Sequence, residues 1–257
     1  MTRFLTAVAP VRVADLGGWT DTWFAGRGLV CSIAVWPGAE VRIAVEEAAG
    51  TGTIVLDAVD FGDRYDLVEG RGRHPLLEAC IDEVGVPAGL DLTVSVHSEI
   101  PAGASTGTSA AVSVALVSAL TALRGATVVP EELAAAAHRV EAVRLGRQSG
   151  IQDQRSAAFG GINRIEMRAY PHDVGVRAVE VPDEVRWELE HRLVLVLLGR
   201  THVSSAVHDQ VIAGLEGASP DDAARLLDPL REAAGAGAVA LAAGDLEGYG
   251  AALVANT

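Results

Sequence analysis

A chain of 257 residues, 49% apolar and 21% charged, is long enough to bury a substantial core and has the composition of a globular protein, not a disordered one. Its formal net charge of −14 weighs against nucleic acid and anionic membranes as partners, because both would repel it. An anionic substrate is still allowed, since a few arginines or a nest of backbone N–H groups can hold phosphate inside an acidic protein.

In chain order, "FLTAVA", "GLVCSIAV", "AEVRIAVEE" and "TGTIVLDA" are β-branched or alternating runs parted by Gly, Pro and Asp turns, and they predict strands. The segment "HPLLEACIDEVGV" carries a helical stripe of Leu76, Leu77, Cys80, Ile81 and Val84 that ends at Gly85. "GLDLTVSVHSEI" alternates, with Leu92, Val94 and Val96 on one face and Thr93, Ser95 and His97 on the other. Helix is expected over 106–123 and again over "PEELAAAAHRVEAVRLG", between Pro130 and Gly146. "GGINRIEMRA" and "VGVRAVEV" read as strands, and "HRLVLVLLG" (191–199) as a fully buried one. From Val203 onward the chain reads as helical, with breaks near Ser219–Pro220 and around Gly235–Gly237. Strands and helices do not alternate regularly, so the class is α+β. The shift from strand-rich to helix-rich composition suggests domains over 1–170 and 171–257.

Two cysteines, Cys31 and Cys80, make neither a disulfide framework nor a zinc site, and they suggest a reducing compartment. The N-terminus is a poor signal peptide, and no apolar run approaches the ~20 residues that cross a bilayer. The expected location is the cytoplasm. The seven histidines show no H-E-x-x-H or H-x-x-E-H spacing, so no metal cluster is expected from them.

Three stretches carry the chemistry. "PAGASTGTSAA", after a strand, offers Gly103 and Gly107 for backbone freedom, with hydroxyls on Ser105, Thr106, Thr108 and Ser109, and then enters a helix. The free N–H groups of such a helix start suit a phosphate, and a first-turn hydroxyl suits Mg²⁺. It is not a Walker A loop, and composition alone leaves it equally a small-residue helix entrance. "APVRVADLGGWTDT" gathers Arg12, Asp15, Gly17, Gly18 and Asp21 in a short post-strand loop, or else a hairpin with solvated charges. "GRQSGIQDQRSAAFGG" sets Gln148, Gln152, Asp153, Gln154 and Arg155 between glycines. That is either a helix N-terminus stabilised by Asp153, or a carboxylate placed as a base with amides around it.

In this order the three stretches resemble the motifs of the GHMP kinases. "GGWTDT" and "QDQRSAAFGGIN" are most similar to the sugar-kinase branch that holds heptose-7-phosphate kinase, L-fucokinase and galactokinase. The resemblance implies a two-domain α+β fold, with an N-terminal domain like the second domain of ribosomal protein S5 and a ferredoxin-like C-terminal domain. It implies ATP and Mg²⁺ as cofactors and transfer of the γ-phosphoryl group to a hydroxyl, the anomeric one first, of a sugar or sugar phosphate.

By the same resemblance, Asp153 matches the base or electrostatic partner of that hydroxyl, and Arg12 the arginine beside it. Asp21 matches a sugar ligand, with Gly18, Trp19 and Gln152 alongside. Pro101, Gly103, Ser105, Gly107, Thr108, Ser109 and Ala110 match the phosphate loop. Ser109 and Glu141 match Mg²⁺ ligands, Glu141 being otherwise a solvated helical carboxylate. Ser105 and Thr106 stand where the family usually has Gly and Leu. The family's late glycine-rich loop is not visible, and the sequence ends at the helix that normally precedes it, which implies an incomplete C-terminal domain. A non-catalytic sugar- or nucleotide-binding member, or a kinase of a non-sugar alcohol, are the alternatives. A homodimer is left open. Trp19 and Trp23 flank Asp21 as a sugar-stacking wall or as plain packing. Arg200, Thr201, Ser204 and Ser205 offer a substrate loop or a helix cap.

Overall fold

The structure is a computed structural model that describes residues 1–101, 103–196, 212–214, 222 and 225–256. They pack as two compact units that interleave in sequence. Unit 1 takes Met1–Val11 and Trp36–Ser149; unit 2 takes Arg12–Val35 and Gly150–Thr257. The division at 170 is a linear cut, whereas these packing units are not linear, because Arg12–Val35 packs with the later part of the chain. Strands β1 (Arg3–Leu16) and β2 (Gly28–Glu47) pair with each other, and each has residues in both units.

In unit 1, β2 pairs antiparallel with β5 (Leu90–Ser98), β5 runs parallel to β3 (Ile54–Ala58), and β3 pairs antiparallel with the short β4 (Asp63–Asp66). The expected alternation of β5 holds. Leu92, Val94 and Val96 are buried and meet Val45, Ile43 and Val41 across the ladder. Helices α1 (Pro75–Val84), α2 (Thr108–Leu123) and α3 (Pro130–Arg139) pack together, with Pro at the first turn of α1 and α3 where its missing N–H costs nothing. α2 is Ala- and Val-rich and buries Ala110, Ala111, Val114, Ala115, Leu116, Val117, Ala119 and Leu120, the pattern of a helix enclosed on several sides.

In unit 2, β2 pairs antiparallel with β6 (Ile162–Ala169), and β6 with β7 (Asp173–Ala178). Helices α4 (Gln152–Phe159), α5 (Asp183–Arg192), α6 (Asp228–Ala243) and α7 (Leu246–Ala255) complete it. One core joins Leu16, Cys31 and Ile33 to Ala234, Ala238, Leu241, Tyr249 and Ala252. A second joins Val30, Ile151, Ile165, Met167 and Leu227 to the partly buried Trp19, Phe24 and Tyr170. Both cysteines are buried free thiols that burial pushes up to about 12, so neither is a reactive nucleophile.

The structure corrects several expected elements. "GLVCSIAV" and "AEVRIAVEE" are one strand, β2, and Trp36–Gly38 does not break it. The reason lies in the ladders: β6 takes Gly28–Ile33 and β5 takes Ala39–Glu47, so Pro37, without an N–H, stands in neither. The helix expected from Pro130 to Gly146 changes at Val140 into a π-helical turn, Val140–Arg144. Within 191–199, His191 and Arg192 close α5, and Leu193–Val196 form no strand; the rest of that stretch lies outside the described residues. α6 runs unbroken through Gly235–Gly237, because Gly237 lets two elements touch: a Cβ there would sit 2.1 Å from Leu16 Cδ1. The expected break near Ser219–Pro220 lies outside the described residues. Among those residues, no helix is long and apolar enough to cross a membrane.

Candidate active site

Unit 2 gathers Arg12, Asp15, Asp21, Gln152 and Asp153. β1 delivers Arg12 and Asp15, and the first turn of α4 delivers Gln152 and Asp153. Arg12 is held between two carboxylates. Its Nε donates to Asp153 Oδ1 at 2.9 Å, and its Nη1 lies 2.6 Å from Asp15 Oδ2. Burial opposes the charge on Arg12, yet Asp153 and Asp15 outweigh it and drive the guanidinium pKa above its ordinary value, so Arg12 is a fixed cation.

Asp21 is fully enclosed. Its Oδ2 accepts the backbone N–H groups of Ile151 (2.8 Å) and Gln152 (3.0 Å). α4 has no cap from its own N-cap side chain, so a carboxylate from a loop distant in sequence does that work. Gly150 makes the approach possible: a Cβ there would lie 2.2 Å from Asp21 Oδ2. Burial pushes the Asp21 carboxyl up to about 6, against the lowering effect of these two backbone donors. Burial pushes Asp15 up to about 7, against the pull of Arg12. Asp15 Oδ1 and Gln152 Oε1 are buried acceptors with no hydrogen-bond partner among the described residues.

The loop between β1 and β2 is braced along its length. Thr20 Oγ1 donates to Gly17 O at 2.7 Å, and Thr22 Oγ1 to Trp19 O at 2.7 Å. Gly17 N–H donates to Asn256 Oδ1 at the end of α7 (2.8 Å). At the far end, Arg231 on α6 donates to Ala25 O (3.0 Å) and twice to Arg27 O (3.0 and 2.8 Å). Trp19 is held at φ 71°, a conformation uncommon for a bulky residue. Its ring packs toward Phe24 (6.4 Å), while Trp23, 38% exposed, meets Phe24 (5.2 Å) and Tyr170 (6.4 Å). Trp19 is partly buried in this packing, and Trp23 keeps an exposed face. A side chain at Gly18 would meet open space.

Unit 1 holds the other expected residues. Gly103 (φ 82°), Ser105 (φ 58°) and Gly107 (φ 71°) are all left-handed, and Pro101 is exposed. Left-handed residues of this kind also occur in the backbone nests that hold anions. Gly107 is the N-cap of α2 and supplies no side-chain bond to its first-turn N–H groups. Ser109 is exposed in that turn, Thr108 is half-buried with its Oγ1 3.3 Å from Thr106 Oγ1, and Ala110 is buried, offering only backbone. Glu141 is 6% exposed, not solvated. It lies on the π-helical turn and accepts from Ser149 Oγ at 3.1 Å. Among the described residues, no three His, Cys, Asp or Glu converge on a metal-binding point. Ser109 and Glu141 are oxygen donors of the kind Mg²⁺ accepts when phosphates and water fill its other positions.

Sequence reasoning missed Arg231 and Asn256. Both lie in helical stretches whose local pattern reads only as helix, and only the fold shows that their partners are loop backbone. Arg200, Thr201, Ser204 and Ser205 lie outside the described residues.

Residues 74–161 match the GHMP kinases N terminal domain. Over 70 residues the chain is 47% identical to the mevalonate kinase of Thermococcus sibiricus, a match spanning 27% of this chain and 21% of that protein. Over 106 residues it is 35% identical to the L-arabinokinase of Arabidopsis thaliana, spanning 41% of this chain and 10% of that one. These matches thus cover about a fifth and a tenth of the relatives' lengths. Among solved structures, the D-glycero-D-manno-heptose 1-phosphate kinase of Bacteroides thetaiotaomicron superposes with a TM-score of 0.74 at 21% identity, over 98% of this chain and 76% of that one. The phosphomevalonate kinase of Streptococcus pneumoniae, in complex with phosphomevalonate and AMPPNP, superposes with a TM-score of 0.67 at 15% identity, over 99% and 78%. At these identities the likeness is one of fold.

Proposed function

We propose that the chain is an ATP- and Mg²⁺-dependent phosphotransferase that phosphorylates a hydroxyl of a sugar or sugar phosphate, the anomeric hydroxyl first; the match of residues 74–161 to the GHMP kinases N terminal domain and the likeness of fold to a heptose 1-phosphate kinase support this reading. The observation that carries this reading is the Arg12–Asp153 ion pair beside the enclosed Asp21 carboxylate. Phosphoryl transfer asks little covalent chemistry of a protein; it asks that the acceptor be positioned and developing charge be balanced. In this reading Asp153 accepts the hydrogen bond of the attacking hydroxyl, and Arg12 holds that carboxylate in place. Asp21 and the orphaned Gln152 Oε1 receive further hydroxyls of a polyol, and Trp23 offers an open aromatic face to a ring. The left-handed loop before α2 holds the nucleotide phosphates on backbone N–H groups. Mg²⁺, bound by Ser109 and Glu141, supplies charge neutralisation on those phosphates.

One observation favours a second acceptor class: the 47% identity over 70 residues to a mevalonate kinase supports a non-sugar alcohol. An ADP-release panel of hexoses, 6-deoxyhexoses, pentoses, heptose phosphates and mevalonate decides between them. With the acceptor found, Asp153→Asn should lower kcat by about 10²–10⁴-fold while leaving ATP binding intact. Unchanged turnover would remove Asp153 from the chemistry.

A further inference from the structure

Asp15 takes no part in the roles above, yet it is the most enclosed charged partner of Arg12. Its side chain is 8% exposed, against 18% for Arg12 and 30% for Asp153. The three groups therefore run from an inner carboxylate, through the guanidinium, to an outer carboxylate. A guanidinium is a rigid planar fork, so fixing one edge fixes the direction of the other. Asp15 Oδ2 fixes the Nη1 edge at 2.6 Å, and the Nε edge meets Asp153 Oδ1 at 2.9 Å.

Asp15 is also poorly served by its own surroundings. Its Oδ1 is buried without a partner among the described residues, and the charged groups that act on it besides Arg12 are Asp153 and Asp21, both of like sign. Cys31 and Tyr249 lie near enough to feel its charge and are neutral. A buried carboxylate with an orphaned oxygen is costly to the fold, and its pairing with the buried Arg12 is what offsets that cost. The geometry points to what else that pairing does. We propose that Asp15 is a positioning residue: it anchors the inner edge of Arg12 so that the outer edge is presented to Asp153. Its kinetic consequence rests on the phosphotransferase reading, whereas its structural consequence does not.

The test uses the full chain with Asp15→Leu and Asp15→Asn, read by two independent measurements. The first is the Arg12 Nε–Hε resonance in ¹H–¹⁵N spectra, assigned with an Arg12→Lys control. It should be sharp and slow to exchange in the parent, lost or at least about tenfold faster in Asp15→Leu, and largely retained in Asp15→Asn, which keeps an acceptor oxygen in place. The second is the split of kinetic constants. Asp15→Leu should lower kcat by about 10–100-fold, with the KM for ATP within about twofold, and Asp15→Asn should recover most of that loss. Thermal unfolding should show Asp15→Leu less stable than the parent, since one of the two carboxylates that offset the burial of Arg12 is gone, so kcat and the resonance are compared at a temperature where both proteins are fully folded. An unchanged Arg12 resonance in Asp15→Leu overturns the proposal, as does a kcat loss without a change in that resonance. Should Asp15→Leu not fold, Asp15→Asn decides: its Arg12 Nε–H exchange should be about two- to fivefold faster than in the parent, and equal exchange overturns the proposal. If the parent phosphorylates nothing in the panel, the phosphotransferase reading fails, and the resonance still decides the role of Asp15.

Discussion

Replacing Asp21 with Asn separates the cost of an enclosed charge from the value of its hydrogen bonds. The amide oxygen of Asn takes the place of Oδ2 and still accepts from Ile151 and Gln152, so the helix end stays capped. What disappears is the ionisation. In the fold the Asp21 carboxyl titrates at about 6, because burial outweighs the two backbone donors. An unfolded Asp titrates near 3.9, and a gap of about two units at ~1.4 kcal/mol each amounts to about 3 kcal/mol. The sign follows from which state binds the proton more tightly. The folded state does, so this stabilisation is complete below about pH 4 and is lost as the pH rises through about 6. Asn imitates the protonated acid at every pH. The stability of Asp21→Asn relative to the parent should therefore grow by about 2 kcal/mol between about pH 4.5 and pH 7.5, the remainder lying below pH 4.5. Asp15, which titrates at about 7, is present in both proteins and largely cancels. Urea unfolding followed by the fluorescence of Trp19 and Trp23, both in unit 2, reads the difference. A difference that stays flat with pH, or shrinks as the pH rises, would refute the assignment of a burial-raised carboxyl at Asp21.

Two further outcomes follow from the same geometry. Ser109→Ala should weaken ATP binding by about tenfold in the presence of Mg²⁺ and hardly at all in its absence, measured by titration calorimetry. An equal loss in both conditions would make Ser109 a phosphate contact and not a metal ligand. Arg231→Met keeps the apolar stem and deletes the three donations to Ala25 O and Arg27 O together with the pair to Asp228; with a charged donor lost to buried and part-buried carbonyls, unit 2 should lose on the order of 3 kcal/mol in urea unfolding. The acceptor KM should rise more than the ATP KM, and the opposite pattern would detach the loop from acceptor binding.

Periodicity announced much of unit 1. The alternation of Leu92, Val94 and Val96 and the stripe on α1 describe surfaces that face one local partner, and such surfaces are visible in sequence. What escaped was set by partners far away. Gly235 and Gly237 look like helix breakers until Leu29 and Leu16 are seen against them, where they are contact surfaces inside α6. Trp36–Pro37–Gly38 looks like a turn because nothing local says that the β5 and β6 ladders of β2 leave a gap of the right length there. The same holds for the candidate site. Arg12, Asp21 and Asp153 were legible because their residue types and order match a motif, while their burial was not. The enclosure that pushes Asp21 upward comes from the start of α4, 130 residues later in the chain. Glu141 shows the limit most plainly. On a regular helix its neighbours suggest a solvated face, and the π-helical turn at Val140–Arg144 together with burial reverses that.

The interleaving of the two units also has a temporal meaning. Arg12–Val35 is synthesised early, but it completes unit 2 only with residues from Gly150 onward. Its bonds close very long loops: 141 residues separate Arg12 from Asp153, and 239 separate Gly17 from Asn256. Contacts of such separation form late, because the entropy of closing the loop is lost before the contact offsets it. Trp36–Ser149, by contrast, is contiguous and can collapse as soon as it is made. On the ribosome the strand that bears Arg12 and Asp15 must therefore wait, its apolar residues Leu16, Val30 and Ile33 still in water, until more than a hundred further residues have been translated. Arg12 can meet Asp153 once α4 has been made, whereas Gly17 must wait for Asn256, so the loop that bears Asp21 gains its brace at Gly17 only after the proposed catalytic pair can form.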